Sequence, residues 1–137
     1  MRLDPREISV LVIDPVLLDG ELLAMALMVQ GYAARAVRDE GAALRELRDN
    51  RVLHVLIAAP LLAADPALPS RLQRIRPVEV LMLLDAERAV PAEALSGVVD
   101  VIEACGCYPE VAARFDAYVG PPASVMRVGR PRRACFG

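Results

Sequence analysis

The chain has 137 residues, enough for one domain with a real core. Hydrophobic residues make up 55% and charged residues 25%, which excludes a disordered polar chain, and no apolar run reaches the ~18 residues that span a bilayer. The net charge of −2 hides a split: residues 121–137 carry Arg127, Arg130, Arg132 and Arg133 with no acid, while the part before them is acidic and ill-suited to nucleic acid.

In chain order, MRLDPREIS is charged and proline-containing and does not read as a signal peptide, so a cytoplasmic protein is expected. ISVLVID (8–14) is an apolar run with β-branched residues, fitting a strand buried on both faces. VLLDGELLAMALMVQ (16–30) has helical spacing and stops at Gly31, a C-cap residue. YAARAV (32–37) is a weaker second strand. DEGAALRELRDN (39–50) is a helix capped by Asp39, with Ala43, Leu44 and Leu47 inward. VLHVLIA (52–58) is a third strand. LLAADPALP (61–69) reads as a proline-broken loop, and SRLQRIR (70–76) as a short helix. VEVLMLL (78–84) is a fourth strand. PAEALSG (91–97) gives one or two helical turns, and VVDVIEA (98–104) a fifth strand. PEVAARFDAYV (109–119) is a last helix, with Val111, Phe115, Tyr118 and Val119 inward.

Five apolar strands alternating with helices predict a five-stranded, parallel, doubly wound α/β sheet with helices on both faces. A site is then expected at the C-terminal ends of the strands, near Asp14, Pro15, Ala58, Leu84 and Ala104. The domain is assigned to residues 1–120, and Gly120-Pro121-Pro122 opens an arginine-rich tail or linker over 121–137.

VLVID, the Gly31-Tyr32 pair after the first helix, the spacing to HVLIA, VLMLL, and GVVDVI before the last helix together resemble the receiver domain of bacterial response regulators. The resemblance covers roughly residues 8–119 and implies a flavodoxin-like fold in signal transduction. In that family two acids after the first strand hold Mg²⁺. An aspartate ending the third strand takes a phosphoryl group, and a Thr or Ser and a Lys at later strand ends bind it. Of these positions only Asp14 keeps the family's residue type. Pro15 stands for the second acid, Ala58 or Ala59 for the acceptor, Leu84 or Asp85 for the Thr/Ser, and Ala104 for the Lys. The chain contains neither lysine nor threonine, so two of these losses do not depend on alignment.

Aspartyl phosphorylation needs an oxygen nucleophile and cations to neutralise the phosphoryl charge. An alanine methyl is no nucleophile, and one carboxylate is a poor Mg²⁺ site. The resemblance is therefore to a degenerate receiver, a pseudo-receiver without the phospho-acceptor, expected to be neither an enzyme nor dependent on a metal or cofactor.

Four further features carry alternatives. Cys105-Gly106-Cys107 with Cys135 and His54 makes either a soft-metal or redox site or, as the favoured reading, ordinary loop thiols. His54, inside a strand, reads as a core residue. On the first helix Leu23, Ala26 and Leu27 face the core, while Leu18, Leu22, Met25 and Val29 form a second apolar stripe at spacings of four, three and four. That stripe suits a protein partner or a homodimer, unless the tail or the third loop covers it. Lastly, Gly129-Arg130-Pro131 with its flanking arginines resembles an AT-hook for A·T-rich DNA. Arg127, Arg130, Arg132 and Arg133 equally suit a cyclic dinucleotide, or a solvated tail. The expected function is a phosphorylation-independent regulatory protein–protein interaction module, with DNA or cyclic-dinucleotide binding by the arginines as the alternative.

Overall fold

The computed structural model describes residues 7–85, 95–104 and 107–120. Five strands, β1 (Glu7–Ile13), β2 (Ala34–Val37), β3 (Arg51–Ala58), β4 (Glu79–Asp85) and β5 (Asp100–Ala104), form one all-parallel sheet in the order β2-β1-β3-β4-β5. The helices are α1 (Leu17–Val29), α2 (Glu40–Asp49), α3 (Ala59–Ala64), α4 (Leu68–Ile75) and α5 (Tyr108–Val119). The expected doubly wound α/β fold is the one observed.

The inner strands β1, β3 and β4 are largely apolar because both faces are covered, while the edge strands β2 and β5 carry charged, exposed positions. Their alternation sorts side chains into two cores. Val10, Val12, Leu56, Leu81 and Ile102 pack with Leu23 and Leu27 of α1 and Val111, Ala112 and Phe115 of α5. Leu11, Ile13, Val55, Ile57, Val80 and Met82 pack with Ala43 and Leu47 of α2, Leu62 of α3 and Leu68 and Leu72 of α4. On the second face Arg71 grips both carboxylate oxygens of Glu40 (2.7 and 2.9 Å) and also pairs with Asp65, tying α4 to α2. That cluster holds the Asp65 carboxyl below its usual range, chiefly through the hydrogen bond from Arg71.

The α1 terminus shows how sequence sets the frame. The Gly31 amide donates to the carbonyl of Met28 (3.0 Å) and the Tyr32 amide to that of Leu27 (3.1 Å), a Schellman closure. Gly31 has φ 105°, where a side chain would strain the backbone. The Tyr32 amide is thus engaged by the helix, and β2 begins at Ala34 rather than at the expected residue 32. Gly20 answers a close approach instead: a Cβ there would lie 3.3 Å from the Cβ atoms of Ala36 and Asp14, so glycine lets α1 lie tightly on the sheet.

Three expectations need correction. The stretch 61–69, read as a loop, contains most of α3 and the start of α4. Pro60 and Pro69 each lie in the first turn of a helix, where the missing N–H costs nothing, so they open helices rather than break them. The fifth strand starts at Asp100, because the Val98 amide closes a turn onto the Leu95 carbonyl (3.1 Å). On α5, Val111 and Phe115 are buried and Tyr118 half-buried, but Val119 is exposed where the helix ends at Gly120. The helix expected at 91–97 falls largely outside the described residues. Its last part, 95–97, is a single 3₁₀ residue followed by a turn.

Candidate functional site

In a doubly wound sheet, the crevice lies where strand order reverses, here between β1 and β3. Register places Ile13 opposite Ile57, so Asp14 and Ala58 follow side by side at the C-terminal edge. Ala58 pairs with Leu83 of β4, and Asp85 with Ala104 of β5. The residues expected at this edge are therefore brought to it.

They differ in what they offer. The Asp14 amide donates to the Val37 carbonyl (3.0 Å), and its carboxylate accepts from the Val16 amide (2.9 Å). Partial burial pushes its carboxyl above the usual range; the Val16 hydrogen bond opposes that shift, and nearby Asp19 adds to it. Pro15 is exposed. Ala58 is the last residue of β3, and Ala59 the first of α3. Ala59 lies in the core under α2, α3 and α4, whereas Ala58 belongs to neither core cluster, so Ala58 is the one facing the crevice edge. Leu84 packs against the α2–α4 core and Ala104 against the α1–α5 core.

Two neighbours escaped the sequence reading. Asp19, in the first turn of α1, accepts a hydrogen bond from the phenol of Tyr108, the first residue of α5 (2.7 Å). That bond, with the negative charge of Asp19, pushes the Tyr108 phenol up to about 12. The one local signal was an acid in a helix's first turn, where the helix dipole favours it. The rim so built is Asp14, Asp19 and Tyr108 around an alanine floor. Among the described residues no group of three or more His, Cys, Asp or Glu could hold a metal ion.

Nor does His54 stand near this edge. It lies mid-strand, with Nε2 3.1 Å from Glu79 Oε1 and its ring edge-on to Phe115, so its role is packing. Of the cysteines only Cys107 is described; it is a free, exposed thiol preceding α5. Cys105, Cys135 and Arg127, Arg130, Arg132 and Arg133 lie outside the described residues. Among the described residues no helix is long and apolar enough to cross a membrane.

The stripe on α1 is the second candidate. Leu18 is 64% exposed, Leu22 38%, Met25 57% and Val29 87%. Gly20, Leu23, Ala24 and Leu27 are buried on the opposite side; at ~100° per residue, Leu27 stands about 180° from Leu18. Among the described residues nothing covers this row. Ala26, expected in the core, is only partly buried at the margin.

Solved structures with this topology share one architecture. A response regulator from Thermotoga maritima is 18% identical, with a TM-score of 0.64 over 80% of this chain and 94% of that one. The fold is that of a receiver domain. NtrX from Brucella abortus, solved with ATP, is 21% identical at a TM-score of 0.64, but only 26% of it is covered by 80% of this chain. A response regulator protein from Burkholderia pseudomallei, solved with a phosphorylated aspartic acid, calcium ion and citrate, is 18% identical at a TM-score of 0.60, over 83% of this chain and 74% of that one. No protein-family model matches the chain, and no curated protein matches it by sequence. At these identities the likeness establishes the receiver fold.

Proposed function

We propose that this receiver fold serves signal transduction as a regulatory protein–protein interaction module, without aspartyl phosphorylation. The observation that carries the reading is the crevice itself. Register puts Ala58 beside Asp14, at the place where phosphoryl transfer would need a carboxylate. The other strand ends carry Leu84 and Ala104, and the chain has no lysine or threonine to bind a phosphoryl group. Among the described residues this edge offers no carboxylate at the end of β3 and no cation beside it, which favours a module that acts by what it binds.

The face it binds with is the α1 stripe. Leu18, Leu22, Met25 and Val29 present a row of apolar side chains to water, spaced as in a helix–helix seam. Its partner is another protein or a second copy.

Incubation with acetyl phosphate and Mg²⁺ should leave the intact mass unchanged, with no gain of about 80 Da, the mass of a phosphoryl group. Stable labelling of Asp14 or Asp85 would overturn the phosphorylation-independent reading. The interface has its own test. A photoreactive benzoylphenylalanine placed at Leu18 in producing cells should yield a discrete adduct heavier than the monomer, and Leu22→Arg in the same chain should abolish it. Equal adducts with and without Leu22→Arg would place the interface elsewhere.

A further inference from the structure

The outer row of α1 has a symmetry of its own. Leu18, Leu22, Met25 and Val29 stand at intervals of four, three and four, which read the same from either end. At ~100° per residue the four lie within about 60° of one another round the helix. A two-fold axis midway between Leu22 and Met25 therefore maps the row onto itself with two copies of the helix antiparallel. Leu18 then faces Val29 of the second copy, and Leu22 faces Met25. Intervals of four and three are also those of a helix–helix seam.

The charges on α1 favour the same direction. Its only charged residues are the acids Asp19 and Glu21, both near its N-terminus. Parallel packing would set like carboxylates side by side. Antiparallel packing moves the two Asp19 positions about 14 Å apart along the axis and the two Glu21 positions about 8 Å, with roughly 8–10 Å more across the seam. Both separations then exceed a Debye length of ~8 Å, and the helix dipoles oppose each other favourably. Asp19 is in addition held to α5 by the phenol of Tyr108 (2.7 Å).

Composition and area point to the same occupant. From Leu22 to Val29 the helix contains only Leu, Ala, Met and Val. The row offers no charge or hydrogen bond with which to select a dissimilar partner; its register is its one distinguishing mark, and that register complements itself. With Met28, 49% exposed, the row leaves on the order of 500 Å² of apolar surface open in each copy. Two copies would bury about twice that, which meets the ~1,000 Å² that a specific interface needs. We infer that the outer row of α1 is a self-association face, on which a second copy of this chain docks antiparallel about a two-fold axis between Leu22 and Met25. The inference rests on the reading of this row as the module's binding face and names its partner. An interface at this lower bound is weak and reversible, so protein concentration sets whether the module is single or paired.

Light scattering on the full chain should show the mass rising from one copy towards two between about 5 and 300 µM, the range expected of so small an interface. Val29→Glu should stay monomeric throughout; Val29 is 87% exposed, so this change leaves the fold alone. Direction is read by disulfide trapping in a chain carrying Cys105→Ser, Cys107→Ser and Cys135→Ser. Leu18→Cys mixed with Val29→Cys should cross-link several-fold more than either variant by itself. Either variant cross-linking alone as well as the mixture would overturn the antiparallel face. A parent that remains monomeric at every concentration would overturn the second copy altogether. In that case a Leu22-dependent photoadduct from cells, at a mass other than twice the chain, would leave the row as a binding face for a different protein. Loss of that adduct as well would remove the binding-face reading itself.

Discussion

Phe115→Ala is expected to cost about 3–5 kcal/mol of folding stability. Phe115 is fully buried beneath α5. Its ring meets Tyr32 at 5.2 Å and 69°, and His54 at 5.2 Å and 84°, both edge-to-face, with Tyr118 tilted at 6.5 Å. It thus joins the end of α1, the middle of β3 and α5 in one contact set. Such aromatic pairs add about 0.5–1.5 kcal/mol beyond the area they bury. Alanine would leave a cavity that the sheet side cannot close, because Val10, Val12, Leu56 and Leu81 are fixed by the ladder. A domain of this size typically has only 5–15 kcal/mol of stability in total, so the thermal midpoint should fall by at least about 10 °C. Leu18→Ala on the outer row should move stability by less than about 0.5 kcal/mol. Urea unfolding of both variants checks the contrast. A Phe115→Ala cost under about 1.5 kcal/mol, or an equal cost at Leu18, would mean that α1 and α5 are not seated as described.

The elements that could be read from sequence were those whose burial leaves a local trace. β1, β3 and β4 are near-continuous apolar runs because both faces are covered. Gly31 and Asp39 announced themselves through cap chemistry, and the structure shows both caps, Asp39 Oδ1 accepting from the Ala42 amide at 2.8 Å. α3 was missed because Pro60 carries two opposite meanings. In a helix interior it breaks, and in the first turn it starts. Only the burial of Ala59 and Leu62 distinguishes the two.

The site was legible in position but not in full composition. Strand ends can be counted, and Asp14, Ala58 and Ala104 lie at the C-terminal ends of β1, β3 and β5. The contact of Asp19 with Tyr108 joins residues 89 apart in sequence, and no periodicity encodes it. Ala58 and Ala59 could not be separated by counting either. The register of Ile13 with Ile57 and the burial of Ala59 in the α2–α4 core separate them. Likewise, the 4-3-4 spacing revealed the outer row, but two apolar stripes on one helix look alike until the sheet covers one of them.

Ala58→Asp, which would put a carboxylate at the end of β3, is expected to lower stability at pH 7 by about 1–3 kcal/mol. Ala58 is buried, and Asp14 stands beside it already pushed above the usual carboxyl range by burial. The new carboxyl would be raised too, by desolvation and by the like charge. The sign follows: a carboxyl raised in the folded state costs most when ionised, so the loss should be full near neutral pH. It should shrink as pH falls through the raised value and vanish below the unfolded value of about 3.9. Two carboxylates side by side also make half of a cation site. Millimolar Mg²⁺ should therefore raise the thermal midpoint of this variant and leave the parent unchanged. Acetyl phosphate should still add no stable mass of about 80 Da, because leucine and alanine occupy the positions that would have to neutralise a phosphoryl group. The cost of Ala58→Asp measured at pH 7 and pH 4, with and without Mg²⁺, decides the electrostatic part. A stable phosphoryl adduct on the variant would show that the other strand ends can support phosphoryl transfer once a carboxylate ends β3. Mg²⁺ stabilisation without phosphorylation would show that the crevice keeps the shape of a receiver site and has lost its chemistry at several strand ends at once.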